Sequence, residues 1–401
     1  MAFHPIDRNT EYLLPPSIQE WLPEAHLARY VVDVVEGLDL SALERAYAGR
    51  GSDAYHPAML LSLLIYGYAT GTFSSRKIER ATHDSLAFRY IACNRHPDHD
   101  TLASFRRRFG KEFSAAFVQV LQLARENQLS RFGTVSLDGT KIHANASRHS
   151  ALSYAHAEKI EAKLKAEVQE LLALAESADQ SSVPDGVKLP EEIRRREDRL
   201  AAIAAAKAKI EARAKERFER EQAEYDAKVA ARTAKAAAGK KPRGPSPQPP
   251  ESGPRANDQI NLTDEESRIM KVSGGGFEQC YNAQAVVDTE SMLILAAHVT
   301  QATNDKEQIT PMLAKVLENP QGLNRPDTWL ADTGYYSEKN VEACVAAGIE
   351  PLIAVKRDAH HPGWRERFTE PAPLTEDASP VDAMKHKLKT RAGRAVYALR
   401  K

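Results

Sequence analysis

Cysteine is scarce in this chain. Three residues, Cys93, Cys280 and Cys344, are scattered over 401 positions. That is too few for a disulfide framework, so the fold must rest on buried apolar surface, and a reducing cytoplasm is the expected setting. Long apolar runs are lacking too. The longest, Ala58 to Ala69, is interrupted by Ser62 and Gly67. It falls short of the roughly 20 residues that a bilayer-spanning helix needs. The opening Met-Ala-Phe-His-Pro-Ile-Asp-Arg has neither the basic segment nor the apolar segment of a secretory signal. An excess of charge of one sign is also missing, since 55 Lys and Arg stand against 55 Asp and Glu. The total neither invites nor excludes a polyanionic partner, and local charge has to decide.

What is present is the composition of a globular protein, 42% hydrophobic and 27% charged, long enough for more than one domain. Residues 1–130 read as helical. Pro57 suits a first helical position, and Met59, Leu60, Leu63 and Leu64 repeat at helical spacing. Ser74-Ser75 start a helix through Arg76-Lys77-Ile78-Glu79-Arg80, and Asp98-His-Asp-Thr101 starts another. The second puts Leu102, Phe105, Phe109 and Phe113 on one face and Arg106, Arg107, Arg108 and Lys111 on the other. Two helices joined by a tight polar turn, the second one basic, are similar to a helix-turn-helix that meets DNA.

The texture changes at Phe132. Gly133 to Ile142 is β-rich, and a first strand is expected to end at Asp138-Gly139. From 151 to 238 the chain is rich in Ala, Glu, Lys and Arg. Ile193, Leu200, Ile203, Ala206, Ile210 and Ala214 fall on one helical face, and Ser181-Ser-Val-Pro-Asp-Gly186 breaks the segment. An inserted antiparallel helical hairpin is expected, and its apolar stripe suits either internal packing or dimerisation. Residues 239–270 read as a flexible linker, being rich in Pro, Gly, Lys and Ser up to Pro254. Strands are then expected over Phe277–Val287 and Met292–Val299, a helix capped by Asn304-Asp305, a short strand ending at Asp332, and a helix capped by Ser337. A buried strand from Ile349, a loop over 358–380 and a basic helix from Val381 complete the order. Without the insertion this is strand, strand, strand, helix, strand, helix, strand, helix. It resembles the ribonuclease-H-like α/β order, with a mixed sheet over 131–150 and 271–401.

Asp138 and Asp332 each stand at the expected end of a short hydrophobic strand. Ligands of α/β domains gather at such ends. Two carboxylates brought together there repel unless a cation joins them, and hard divalent ions take oxygen ligands. By itself the pattern also suits two turn-forming aspartates.

The neighbouring residues are more specific. Asp332-Thr-Gly334-Tyr335-Tyr336 and Tyr397-x-x-Arg400 resemble signatures of the DDE transposases of the IS4/IS5 supergroup, the IS1182 type above all. Asn261-Leu-Thr-Asp264-Glu-Glu-Ser267-Arg268-Ile-Met270, Gly276-Phe277 and Tyr281-Asn-Ala-Gln284 carry the same resemblance. So do Ser75-Arg-Lys-Ile-Glu79 and Asp100-Thr-Leu-Ala-Ser-Phe-Arg106 within the stretch Tyr55 to Phe109. The resemblance implies that Asp138 and Asp332 are catalytic and hold Mg²⁺, with Mn²⁺ as a substitute. It implies hydrolysis at transposon ends followed by attack of the freed 3′-hydroxyl on target DNA. The partners implied are terminal inverted repeats, target DNA and further copies of the chain, at the nucleoid. Tyr397 and Arg400 are expected on DNA near the site. Their signature continues to a Glu that falls past Lys401. The expectation is therefore a truncated copy with impaired catalysis, or a remnant that binds ends without cutting.

Other groups carry blander readings. Glu366, Glu370, Glu376, Asp377 and Asp382 are poorly placed to replace the third carboxylate. Cys93, His96 and His99 have zinc-like spacing but only three ligands, and they read as a polar turn. His143 reads as an ordinary strand or loop histidine. Lys141 beside the first aspartate, and the run Lys385, Lys387, Lys389, Arg391 and Arg394, suit phosphate contacts.

Overall fold

The computed structural model describes residues 17–47, 54–129, 131–177, 189–237, 245–318, 325–355, 369–374 and 377–400. Glu366, Glu376, the expected hairpin turn at 181–186 and most of the 358–380 loop lie outside the described residues. Among the described residues no helix is long and apolar enough to cross a membrane.

The N-terminal part packs helices α1 (Leu27–Glu36), α2 (Ser41–Arg45), α3 (Pro57–Ala69), α4 (Ser75–Asp84), α5 (Leu86–Ile91), α6 (His99–Arg108) and α7 (Gly110–Glu126). Pro57 occupies the first turn of α3, and the His56 ring accepts from Ala58 N. α3 is apolar nearly all round and forms the centre of a core with Ile78, Phe88, Leu102 and Phe105. The structure corrects the helix-turn-helix reading. α5 and a loop with Cys93 and Asn94 at positive φ separate α4 from α6. The helix opened by Asp98 stops at Phe109, whose ψ of 32° breaks it, so Phe113 and Lys111 sit on α7. The rings of Phe105, Phe109 and Phe113 still pack, with centroids 5.2 and 5.4 Å apart.

The second part is a six-stranded sheet in the order β4-β5-β1-β7-β8, with β6 also on β5. Its strands are β1 (Thr134–His143), β4 (Arg268–Lys271), β5 (Phe277–Asp288), β6 (Ile294–Thr300), β7 (Thr328–Ala331) and β8 (Glu350–Ile353). β5 runs antiparallel to β1, β4 and β6, while β1, β7 and β8 are parallel. This is the ribonuclease-H-like mixed sheet. β7 is buried along its whole length, which explains the apolar run Trp329-Leu330-Ala331. Helices α10 (Ile309–Leu317), α11 (Glu338–Ala346) and α12 (Pro380–Lys389) lay Met312, Val341, Cys344 and Met384 against Val135, Trp329 and Ala331. A last helix, α13 (Arg391–Ala398), follows after a break at Thr390.

Between β1 and β4 the chain leaves the sheet. β2 (Ala151–Ser153) leads into α8 (Tyr154–Ser177), α9 (Leu189–Ala237) returns, and β3 (Gln259–Asn261) pairs with β2 to close the base. Leu164, Ile203, Ala206 and Ile210 are buried between the two helices, with Leu152 and Ile260 below them. The apolar stripe is therefore used inside the hairpin. The linker reading of 239–270 is corrected in its second half. There Ile260 and Met270 bury and draw their neighbours into β3 and β4.

Candidate active site

β1 and β7 pair in parallel, with Ser136 opposite Leu330. Continued by two residues, this register sets Asp138 beside Asp332. The two differ in local structure. Asp332 follows β7 and caps the 3-10 turn Thr333–Tyr335, its Oδ1 accepting from Gly334 N at 2.8 Å. Asp138 does not end its strand. β1 continues to His143, held by β5 from Ala285 opposite Asp138 to Cys280 opposite His143. The sequence hides this because residues 139–143 lack apolar alternation. Asp138 Oδ1 accepts from Gly139 N at 2.8 Å. Each carboxylate thus has one oxygen held by a backbone amide. This oxygen-only pair, on adjacent strands and open to solvent at Asp138, fits a hard divalent cation. Such an ion commonly takes one or two carboxylates and completes its shell with water and phosphate oxygens.

A polar network lies beneath. Tyr335 Oη donates to Gln284 Oε1 at 2.5 Å. Gln284 Nε2 donates to Asn282 Oδ1 at 2.8 Å and Asp305 Oδ1 at 2.9 Å. Asn282 Nδ2 reaches the same Asp305 oxygen at 2.7 Å, and Lys141 Nζ stands 3.2 Å from it. Burial pushes the Tyr335 phenol up, and the charges of Asp305, Asp138 and Asp332 push it further. All three carboxylates therefore act on one ring. In the sequence Asp305 reads as a helix cap. Instead α10 begins at Ile309 and Asp305 turns inward to these donors. The signal in the sequence is Asn282 and Gln284, two amides at strand spacing and thus on one buried face.

α13 crosses the same end of the sheet. Tyr397 Oη donates to Ala331 O at 3.3 Å, next to Asp332. Arg400 Nη1 is 3.9 Å from Asp138 Oδ2, and its guanidinium lies 5.8 Å from the Tyr397 ring centre. The structure thus gathers Asp138, Lys141, Asp332, Tyr397 and Arg400. Arg106, Arg107 and Lys111 belong to the N-terminal helices and are exposed; Arg106 Nη1 donates to Tyr68 Oη at 2.7 Å and Arg107 Nη2 to Ser104 Oγ at 3.5 Å. Among the other groups, Glu370 Oε1 accepts from Arg391 N at 2.7 Å. His96 stacks on His83 at 3.8 Å and meets Thr82, while His99 meets Glu79. No three metal-binding side chains converge among the described residues.

A family model described as "Transposase domain (DUF772)" matches residues 16–108, which include α1 to α6. One described as "Transposase DDE domain" matches residues 247–392 and contains Asp332. Asp138 lies between the two and reaches the site through the β1–β7 pairing. No curated protein and no solved structure matches the chain. With a transposase helical module, then a DDE module on a ribonuclease-H-like sheet, the chain belongs to the insertion-sequence DDE transposases of IS1182 type.

Proposed function

We propose that the chain cleaves DNA at the terminal inverted repeats of its element and joins the freed 3′-hydroxyl to target DNA, Asp138 and Asp332 holding Mg²⁺ for the reaction. The observation that supports this is the parallel β1–β7 register, whose extension by two residues makes Asp138 level with Asp332. DDE transposases act with divalent ions; bound here, the ion would polarise the phosphodiester and activate the attacking oxygen. The protein's own part is positioning. Gly139 N and Gly334 N fix one oxygen of each carboxylate. Tyr397 and Arg400 offer a hydroxyl and a guanidinium to the DNA strand entering the site. Lys141, held by Asp305, adds a nearby cation. Arg106, Arg107 and Lys111 present positive charge for backbone contacts away from it. The working form is a homo-oligomer bridging two ends, at DNA in the cytoplasm.

A second reading, binding of ends without cleavage, draws on Arg400. Its guanidinium stands 3.9 Å from Asp138 Oδ2, where it partly neutralises the carboxylate a metal would need. Cleavage of a labelled terminal repeat with Mg²⁺ or Mn²⁺ separates the two. Cleavage that disappears in both Asp138→Ala and Asp332→Ala supports the transposase reaction. End-specific binding with no cleavage supports the second reading.

A further inference from the structure

A second concentration of guanidinium groups lies away from the carboxylates. α9 passes over the β3–β4 segment, and a cleft of about 500 Å³ between them is lined by Arg213, Arg217, Arg220 and Arg268. Arg217 is neutralised, with Nη1 donating to Asp258 Oδ1 at 2.8 Å. The other three have no carboxylate within 4.0 Å among the described residues. Arg213 Nη2 donates to Glu265 O at 2.8 Å. Arg268 Nη1 donates to the carbonyls of Glu265, Glu266 and Ser267, and its Nη2 to Gln301 Oε1. These acceptors satisfy N–H groups without cancelling charge. The nearby Glu265 carboxylate is taken by Lys209 at 2.5 Å. Arg213 Nη1 and Arg217 Nε are buried and have no acceptor among the described residues.

A guanidinium keeps its proton, so two half-buried ones cannot relieve their repulsion by titrating. Burial lowers the Arg268 pKa and the adjacent Arg213 charge lowers it further, against the opposing pull of Tyr281, Glu266 and Asp264. Glu216 and Asp258 are the acidic side chains on the walls, so four cations face two anions. Forked donors of this kind match the oxygens of a phosphate.

Two features favour a polymer over a lone ion. Arg268 pairs opposite Cys280, and Gln301 follows Thr300, which pairs opposite Asn282. Asp138 pairs opposite Ala285 on the same strand. The cleft is therefore displaced from the active carboxylates by about 10–17 Å along the strands, at roughly 3.3 Å per residue. That is a few nucleotide steps of one DNA strand. The basic wall also continues, since Arg220 and Lys228 of α9 face Lys306 and Lys339 across an adjoining cleft that also holds Glu224 and Glu307.

We propose that the arginine cleft under α9 binds a backbone phosphodiester of the DNA that occupies the active site. The inserted hairpin then serves as a clamp that sets the register of the strand. This rests on DNA being the substrate.

The test is fluorescence anisotropy of the full chain with duplexes of terminal-repeat and unrelated sequence, at a series of salt concentrations. The variants are Arg213→Gln combined with Arg220→Gln, Arg268→Gln alone, and Arg195→Gln as a control that is 82% exposed and lies outside the cleft. Arg220 makes no hydrogen bond or ion pair with a described residue, so its replacement removes none, and a melting temperature for each variant shows that it is folded. The cleft variants should weaken both duplexes about tenfold or more. They should lower the slope of log affinity against log salt by about 1–2, roughly 0.9 for each phosphate no longer neutralised. The control should do neither. Cleft variants that match wild type in affinity and slope overturn the proposal while leaving the transposase reading intact. If, in addition, inorganic phosphate raises the melting temperature of wild type but not of the variants, the cleft is a free-anion site and the proposal is overturned in that form. A wild-type chain that binds neither duplex overturns both.

Discussion

Gly139 follows Asp138 on β1 and has no room for a side chain. A Cβ there would lie 2.4 Å from Gln284 Nε2 and 2.9 Å from Tyr335 Oη. Gln284 is buried and its amide is fully engaged by Tyr335, Asn282 and Asp305. Gly139→Ala must displace it and leave buried polar atoms unpaired, a loss of about 1–3 kcal/mol. Urea denaturation measures it, and a loss below about 0.5 kcal/mol would show that the network yields. Because Tyr335 ends the turn that Asp332 caps, the same substitution should also weaken Mn²⁺ binding. A second prediction concerns Cys344. Burial pushes its thiol up to about 12 from an ordinary 9.0. In the unfolded chain it ionises first, so stability is level below about pH 9. It falls as pH rises toward 12, at roughly 1.4 kcal/mol per pH unit for one proton. Denaturation at pH 8 and pH 10.5 should show the drop in wild type and a smaller one in Cys344→Ala. Of the candidate-site residues, Asp138 and Asp332 stand out in the sequence because each follows an apolar strand pattern. Asp305 is not, because an Asn-Asp pair before a helix pattern reads equally as a cap, and only the fold brings Asn282 and Gln284 to it.

At the scale of elements, the apolar patterns of β5 to β8 and their helices give the order of the elements along the chain, since each segment has one buried face or two, while the strand order in the sheet comes from the pairing. The break between α12 and α13 is hidden, because both flanks read as one basic helix. Thr390 makes it. Its Oγ1 donates to Lys387 O at 2.8 Å and accepts from Gly393 N at 3.0 Å. The close approach requires glycine, as a Cβ on Gly393 would stand 1.9 Å from Lys387 O. Gly393→Ala should cost about 3 kcal/mol, at the upper end for overpacking, because a backbone atom cannot step aside. Thr390→Ala should cost about 1 kcal/mol through removal of the cap. The functional consequence separates this break from an ordinary kink. α13 carries Tyr397 to Ala331 and Arg400 to Asp138. Gly393→Ala should therefore lower affinity for terminal-repeat DNA as far as Tyr397→Phe combined with Arg400→Ala does. An affinity equal to wild type would mean that α13 is not part of the DNA surface.

At the scale of the whole molecule, the described residues form three apolar clusters, in the N-terminal helices, the sheet with its helices, and the hairpin. Their separation predicts more than one unfolding transition. It also predicts that the hairpin can be removed without unfolding the sheet. β2 and β3 meet antiparallel, with Ser153 opposite Gln259. Joining these two residues through Asn-Gly should close a two-residue β-hairpin in place of residues 154–258. Leu152 and Ile260 lose their cover in that protein, so both should be changed to Thr. One calorimetric transition should then disappear, and the one belonging to the sheet should stay within a few degrees, because Trp329, Val341 and Met384 pack in a cluster that the hairpin does not enter. Collapse of every transition would mean that the ion pair of Lys209 with Glu265 and the hydrogen bond from Arg213 to Glu265 O bind the parts into one cooperative unit. With the sheet intact, DNA affinity should fall by at least as much as in the cleft arginine variants, and the salt slope should fall with it, since Arg213, Arg217 and Arg220 leave together. A shortened chain that keeps the full slope would place all of the phosphate contacts on the sheet, α13 and the N-terminal helices.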